Sequence, residues 1–320
     1  MKSYLQHLVV LLDDTSVAYC HAQNPLLESK LMPIDVLHKA IMFGMKQNLK
    51  IQFVYPNYEL PDEYNALIET IDHIKIGKDV QVLEFVPETS IAGILVLRLS
   101  IEDFIAKQNK IAGLLEQTDR VNICLTDIEN FTDNLIEDYK KALLTLSSEL
   151  VALYNRGVLP QVNILTDRLQ LTEMHNCEAG VGNITIAPNG NFYICPAFYY
   201  DEQMDISNRL NCSIEKTNRS VGSLDTGLNI PNKQLLKLDH APLCRICDAF
   251  HCNRCIWLNQ KLTWDNNTPS HQQCVIAHIE RNVARKLQFE LIEMGWDANN
   301  EISEISYLDP FDIREKYFLH

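Results

Sequence analysis

Eight of the ten cysteines in this chain fall between Cys177 and Cys274, and no other feature limits so sharply what the sequence can fold into. The densest part reads Cys244-Arg-Ile-Cys247-Asp-Ala-Phe-His251-Cys252-Asn-Arg-Cys255. Upstream stand Cys177, then twelve residues, Gly190, four residues and Cys195; downstream, eighteen residues after Cys255, comes Cys274. Thiolates gathered in two separated batches suit a metal centre, and a soft ligand set of this kind suits Zn²⁺ or an iron–sulfur cluster. A structural zinc site would use four Cys, or Cys with His251, in closed tetrahedral geometry. Zinc modules usually set two Cys-x2-Cys knuckles about a dozen residues apart or more, whereas four residues separate Cys247 from Cys252. That crowding is closer to the runs that grip a larger cubane from several sides. The chemistry therefore favours iron–sulfur, with zinc as the alternative, and eight cysteines suffice for two four-ligand centres.

The remaining composition narrows the setting. A net charge of -14 over 320 residues argues against a nucleic-acid partner, whose binding rests on Lys and Arg against phosphates, and weakly against an anionic membrane. The apolar run near the N-terminus is short and ends at Asp13-Asp14 with no small-residue cleavage site, so a secretory signal is not expected. No apolar segment reaches the roughly 20 residues that span a bilayer. The expected setting is the reducing cytoplasm, where clustered cysteines are metal ligands or catalytic groups more often than disulfides.

From residue 1 to about 170, strand-like and helix-like segments alternate. Short apolar runs predict strands at His7–Leu12, Ile51–Tyr55, Val80–Val86, Ile94–Leu99, Val121–Thr126 and Gln161–Thr166. Helices are expected at Ile34–Leu49 after Pro33, at Pro61–Ile71, as one helix through Ile101, Phe104, Ile105, Ile111, Ala112 and Leu115, and along the Leu135-to-Leu153 stripe. For the last of these, Thr132 is a candidate N-cap and Gly157 a candidate C′ residue. Such alternation implies βαβ units and a parallel sheet that curls towards a full or partial barrel, with ligands at the C-terminal ends of the strands. Asp13, Asp14, Asp127 and Asp167 fall at that face, where strand-ending and helix-capping roles are the commoner use of Asp. Beyond Leu171 helices are expected to stop. An Asn189-Gly190 hairpin follows, then an irregular connector from Arg209 to Leu236, then the cysteines. A helix returns from Gln272 to about Met294, and the acidic tail is expected to pack on the barrel through Ile302, Ile305, Tyr307, Phe311 and Phe318.

The order Cys177, Gly190, Cys195, Cys244, Cys247, Cys252, Cys255, Cys274 resembles the SPASM domain appended to radical SAM peptide-modifying enzymes, although two spacings in the four-cysteine run are each one residue shorter here. That resemblance implies two auxiliary [4Fe-4S] clusters, one on Cys244, Cys247, Cys252 and Cys274, the other on Cys177, Cys195 and Cys255. The fourth position of the second is left open or filled by Cys212, whose simpler role is a spare loop thiol. It implies a partial (β/α)6 radical SAM-like barrel over residues 1–170, a SPASM-like domain over 171–280, and a C-terminal helix and acidic tail over 281–320. The departure lies after the first strand. The family holds its catalytic cluster there on Cys-x3-Cys-x2-Cys, but this chain reads Asp14-Thr-Ser-Val-Ala-Tyr-Cys20-His21-Ala-Gln-Asn24-Pro25, and Val54-Tyr55-Pro56-Asn57-Tyr58-Glu59 replaces the Gly-Gly-Glu that meets SAM. One cysteine cannot build a SAM-cleaving cluster, so SAM is not expected, Cys20 and His21 read as remnants, and Cys124 reads as a small core residue. The whole pattern resembles the CXXX repeat peptide maturase family, which implies a precursor peptide rich in Cys repeats and a partner radical SAM/SPASM enzyme.

Overall fold

The computed structural model describes residues 5–174, 177–203, 218–297 and 300–310. Cys212, Phe311 and Phe318 lie outside the described residues. The chain divides into two compact units, each made of two stretches: Met1–Gln81 with Glu178–Lys237, and Val82–Cys177 with Leu238–His320.

In the first unit, β1 (His7–Leu11) lies between two parallel neighbours, β2 (Lys50–Val54) and β8 (Asn183–Ile186). A strand paired on both edges and covered on its faces has no polar side, which is why Leu8, Val10 and Leu11 are wholly buried. Beyond β2 runs β3 (His73–Ile76), also parallel, and then β4 (Val80–Leu83), paired through Ile76 and Val80. β8 turns at Asn189-Gly190 into the antiparallel β9 (Phe192–Tyr193). Gly190 has φ +76° there, a left-handed conformation that glycine adopts without a Cβ penalty.

Pro33 precedes α1 (Ile34–Lys46), whose buried stripe is Leu37, Ala40, Ile41 and Gly44. A Cβ at Gly44 would stand 2.5 Å from the Ile51 side chain, so the helix approaches the sheet at a distance only glycine allows. α2 (Asp62–Ile68) follows, and α7 (Pro196–Gln203) succeeds β9.

The second unit pairs β5 (Ile94–Leu99), β6 (Arg120–Leu125) and β7 (Gln161–Val162) in parallel. Its helices are α3 (Ile101–Ala106), α4 (Gln108–Leu114), α5 (Ile136–Asn155), α6 (Thr166–Gln170), α8 (Ile256–Thr263) and α9 (His271–Glu293). The apolar stripe of α5, with Tyr139, Leu143, Leu146, Leu150 and Leu153 all wholly buried, packs along α9. Gly157 takes φ +77° just past its end, the expected C′ position.

Several elements differ from expectation. The helix anticipated from Ile101 to Leu115 is two helices broken at Lys107, with no Gly or Pro to mark the break. The strand at Gln161 stops at Val162, because the Thr166 hydroxyl accepts the Val162 N–H (2.8 Å) and donates to its carbonyl (3.0 Å), folding the chain into α6. The strand at Val80 ends at Leu83, ahead of an exposed Phe85. Helices also continue past Leu171, in α7 and α8. Thr132 caps a single 3₁₀ turn, not α5. Cys124 is intermediate in exposure on β6, and burial of its thiol pushes it up to about 12. The tail packs on α9: Gln288 bonds Asn300 and Ile302, and Arg281 bonds Ser303. Among the described residues no helix is long and apolar enough to cross a membrane.

Candidate metal centre

Local backbone chemistry brings four of the seven expected cysteine ligands together. Cys244 opens one 3₁₀ turn, and the Cys247 N–H closes it on the Cys244 carbonyl (3.2 Å). A second turn follows, with the Cys252 N–H on the Ala249 carbonyl (2.9 Å). Ser270 caps α9 by accepting the Gln273 N–H (3.2 Å), which fixes Cys274 in the first turn of that helix. As a result Cys244, Cys247, Cys252 and Cys274 line a single cavity of about 30 Å³, beside Ala249, Arg254, Gln273 and His278. Room for one water takes roughly 10–15 Å³ by the same measure.

These sulfurs are poor thiolates by themselves. Burial pushes the Cys244 thiol to about 11 and raises Cys247, and it drives Cys252 and Cys274 well above the ordinary thiol range. Charge on Cys244 and Cys247 raises Cys252 further, and charge on Cys252 and Cys244 raises Cys274. Buried thiols raised in this way become thiolates readily when a cation neutralises them. Among the described residues no three His, Cys, Asp or Glu side chains converge on one metal-ion position. The four sulfurs line the cavity, and soft donors of this kind suit zinc or an iron–sulfur group.

A polar framework lies around the cavity. Cys247 Sγ meets Nε2 of His278 (3.4 Å) and accepts the Ala249 N–H (3.4 Å). The Asp248 carboxylate receives Arg281 through two nitrogens (2.8 and 2.6 Å) and has Arg168 at 3.7 Å. Those guanidiniums hold it below the ordinary carboxylate range against the opposing effect of burial, which is the largest single influence on it. Arg168 also lies over the Phe250 ring, 4.5 Å from its centroid. Glu280 accepts from the Tyr139 hydroxyl (2.6 Å) and meets His251 Nε2 (3.0 Å), all three buried. Sequence reasoning missed these partners. The available signal was charge on the inner face of α9: His278 follows Cys274 by four positions, one helical turn on the same face.

The other expected ligands are placed separately. The Cys177 N–H bonds the Asn253 carbonyl (3.0 Å), beside the loop that carries Cys255. Cys255 caps α8, its sulfur accepting the Leu258 N–H (3.4 Å). Cys195 belongs to the first unit, between β9 and α7.

The loop after β1 is built differently. Asp13, wholly buried, accepts from the Thr15 N–H (2.8 Å), the Ser29 hydroxyl (2.9 Å) and the Tyr58 hydroxyl (2.9 Å). Asn24 donates to the carbonyls of Asp14 (2.7 Å) and Ser16 (2.8 Å), and Tyr199 donates to Asp14. Burial raises Asp14 above the ordinary carboxylate value, against the lowering effect of that bond. The loop carries one cysteine, half-buried Cys20. Farther along the strand ends, Asp127 accepts the Ile101 N–H (2.9 Å) and Asp167 pairs with Arg120 through both oxygens (3.0 and 2.7 Å). These aspartates fill structural roles.

No protein-family model matches the chain, and no curated protein matches it. Solved structures do match. Native anSMEcpe with bound AdoMet aligns at TM-score 0.59 and 10% identity over 90% of this chain and 99% of that one. A histidine-tagged form of anSMEcpe with bound AdoMet aligns at 0.54 and 11% identity, over 89% and 98%. Streptococcus suis SuiB bound to precursor peptide SuiA aligns at 0.45 and 12% identity, over 85% and 76%. The fold is thus the α/β radical SAM-like fold that the cysteine order implied. The bound AdoMet belongs to the neighbours, and it stands against the expectation that SAM has no place in a chain of this fold.

Proposed function

We propose that this chain is an iron–sulfur-binding maturation protein that works with a partner radical SAM enzyme on a cysteine-repeat ribosomal peptide. One observation carries the reading: Cys244, Cys247, Cys252 and Cys274, drawn from 31 positions of sequence, line one buried cavity. On this reading they hold one [4Fe-4S] cluster. When bound, such a group supplies one-electron chemistry or an iron that can ligate substrate. The chain's own residues position the sulfurs through the turns at Cys244 and Ala249 and the cap of α9. The resemblance of the cysteine order to the CXXX repeat peptide maturases supports the peptide role, and the net charge of -14 suits a basic partner surface.

A second reading is a cluster-dependent enzyme that binds AdoMet for itself, and the AdoMet-bound fold neighbour favours it. Against it stands the single cysteine of the loop after β1. Anaerobic purification with iron, sulfide and zinc analysis tests the cluster reading: iron and sulfide together are expected, and stoichiometric zinc without sulfide would end it. Incubating the reduced protein with SAM separates the two roles. No 5′-deoxyadenosine is expected from this chain alone, and its release would make the chain the SAM-cleaving enzyme.

A further inference from the structure

Residues 300–310 form neither helix nor strand, so their backbone groups must find partners outside a ladder of their own. Side chains of α9 supply several. Gln288 donates to the Asn300 carbonyl and accepts the Ile302 N–H (3.0 Å), and Arg285 donates to the Ile302 carbonyl (3.1 Å). Arg281 donates to the Ser303 carbonyl and to its hydroxyl (3.2 Å). Farther along, the His278 and Tyr307 rings meet edge-on with centroids 5.6 Å apart, and His271 meets the Asp309 carboxylate.

These contacts have an order. Positions 288, 285, 281, 278 and 271 recur at spacings of three, four and seven, which lie along one face of a helix. They are met in turn by residues 300 and 302, 302, 303, 307 and 309. The segment therefore runs antiparallel to α9, from the C-terminal half of the helix back to its first turn. Cys274 stands in that first turn, and the segment ends at Pro310, which lines the four-cysteine cavity together with His278. Arg281 ties the two sides of the cavity to each other: the guanidinium that holds Ser303 also grips Asp248, the residue after Cys247, through two nitrogens (2.8 and 2.6 Å).

We propose that residues 300–310 are a strap that closes the four-cysteine cavity, and that release of the strap from α9 sets how fast small reagents and an incoming metal or cluster reach the sulfurs. The inference goes beyond the proposed function, because it depends on the four cysteines lining one cavity and not on which group they take. Within the strap only Ile302 and Asp309 are buried. A segment with few buried anchors and no ladder of its own opens at lower free energy than the helix it lies on. The strap acts on rates, and the sulfurs do the holding.

The test uses metal-free full-length protein and iodoacetamide, with modification of each cysteine followed by peptide mass spectrometry. Cys124, on β6 and outside the cavity lining, is the reference in the same unit. Tyr307→Ala and Gln288→Ala loosen opposite ends of the strap. Each is expected to speed modification of Cys244, Cys247, Cys252 and Cys274 by about tenfold relative to Cys124. Asp309→Asn, which changes one atom, should act in the same direction and decides the matter if the larger changes fail to fold. Cavity thiols that keep their wild-type rates in the folded variants overturn the proposal. So does an equal acceleration at Cys124, which would show general loosening instead of a strap. Because no metal is present, the outcome is independent of the cluster reading: protein that takes up no iron and sulfide would end that reading and leave this result standing.

Discussion

Two regions of this molecule, the loop after β1 and the four-cysteine cavity, are built on opposite principles. In the loop after β1, Asp13 collects donors from Thr15, Ser29 and Tyr58, and Asn24 ties two carbonyls. Its polar groups satisfy one another, so the loop holds its shape with its own side chains. Around the four-cysteine cavity the opposite holds. Burial raises all four thiols, and among the described residues the Gln273 Oε1, the His251 Nδ1 and two Arg168 nitrogens have no hydrogen-bond partner. Buried polar atoms are normally paired. The first region is tied together by its own hydrogen bonds, and the second keeps buried polar atoms without them.

The sharpest way to break this contrast is to remove a cysteine from each region. Cys252→Ala should lose the whole four-cysteine centre and destabilise the second unit by on the order of 4 kcal/mol or more, as loss of a structural metal does. Cys20→Ala should leave iron content unchanged and cost less than about 1 kcal/mol. Iron and sulfide analysis with thermal unfolding reads both. Iron lost from the Cys20 variant would give the β1 loop a cluster after all and erase the distinction.

The converse substitution comes next in size. Asp13→Ala strips the acceptor from four donors in a buried position and should cost about 2–4 kcal/mol in urea unfolding, with iron retained. Loss of iron together with stability would mean that the β1 loop supports the cysteine centre.

Much of this contrast was legible in the sequence. The apolar runs at His7 and Ile94 needed only burial on both faces to become strands, and the Asn189-Gly190 turn carried its own geometry. The set of cysteines that meet was readable too, though only through a resemblance in their order. What was hidden depends on long-range pairing. Arg254, Arg281 and Glu280 look like surface charges until the fold buries them, and Thr166 ended a strand through a hydroxyl bond that no periodicity encodes. The groups that complete the Asp13 hub come from residues 15, 29 and 58, too far apart to read as one site.

A third variant probes how stiff the framework around the cavity is. Glu280→Gln weakens the contacts to Tyr139 and His251 and should cost about 1–3 kcal/mol. Tyr139→Phe should cost about 1 kcal/mol. Because both act on one bond, the double variant should cost less than the sum in a double-mutant cycle. Strict additivity would show that the two side chains are not coupled as the geometry indicates.

The smallest effect tests whether proton loss at the edge of the module reaches its centre. His271, in the first turn of α9, meets the Asp309 carboxylate and has Asp133 at 3.7 Å. The hydrogen bond with Asp309 and the charge of both acids raise its pKa above 6.5, outweighing burial. A raised folded pKa means that the stabilisation is complete below the unfolded value and fades as pH rises through the folded one. With His271 half-exposed, screening keeps the effect under about 1 kcal/mol. The stability difference between wild type and His271→Gln should therefore shrink between pH 6 and pH 9, and Asp309→Asn should remove most of the pH dependence. Iron content should stay constant across that range, since the pair anchors the tail and leaves the four sulfurs untouched. A difference that grows with pH would reverse the sign of the pairing. Iron released in step with His271 would place the tail anchor and the cysteine cavity in one cooperative structure, and the self-sufficient and ligand-dependent parts of the molecule would then divide somewhere other than at the cavity wall.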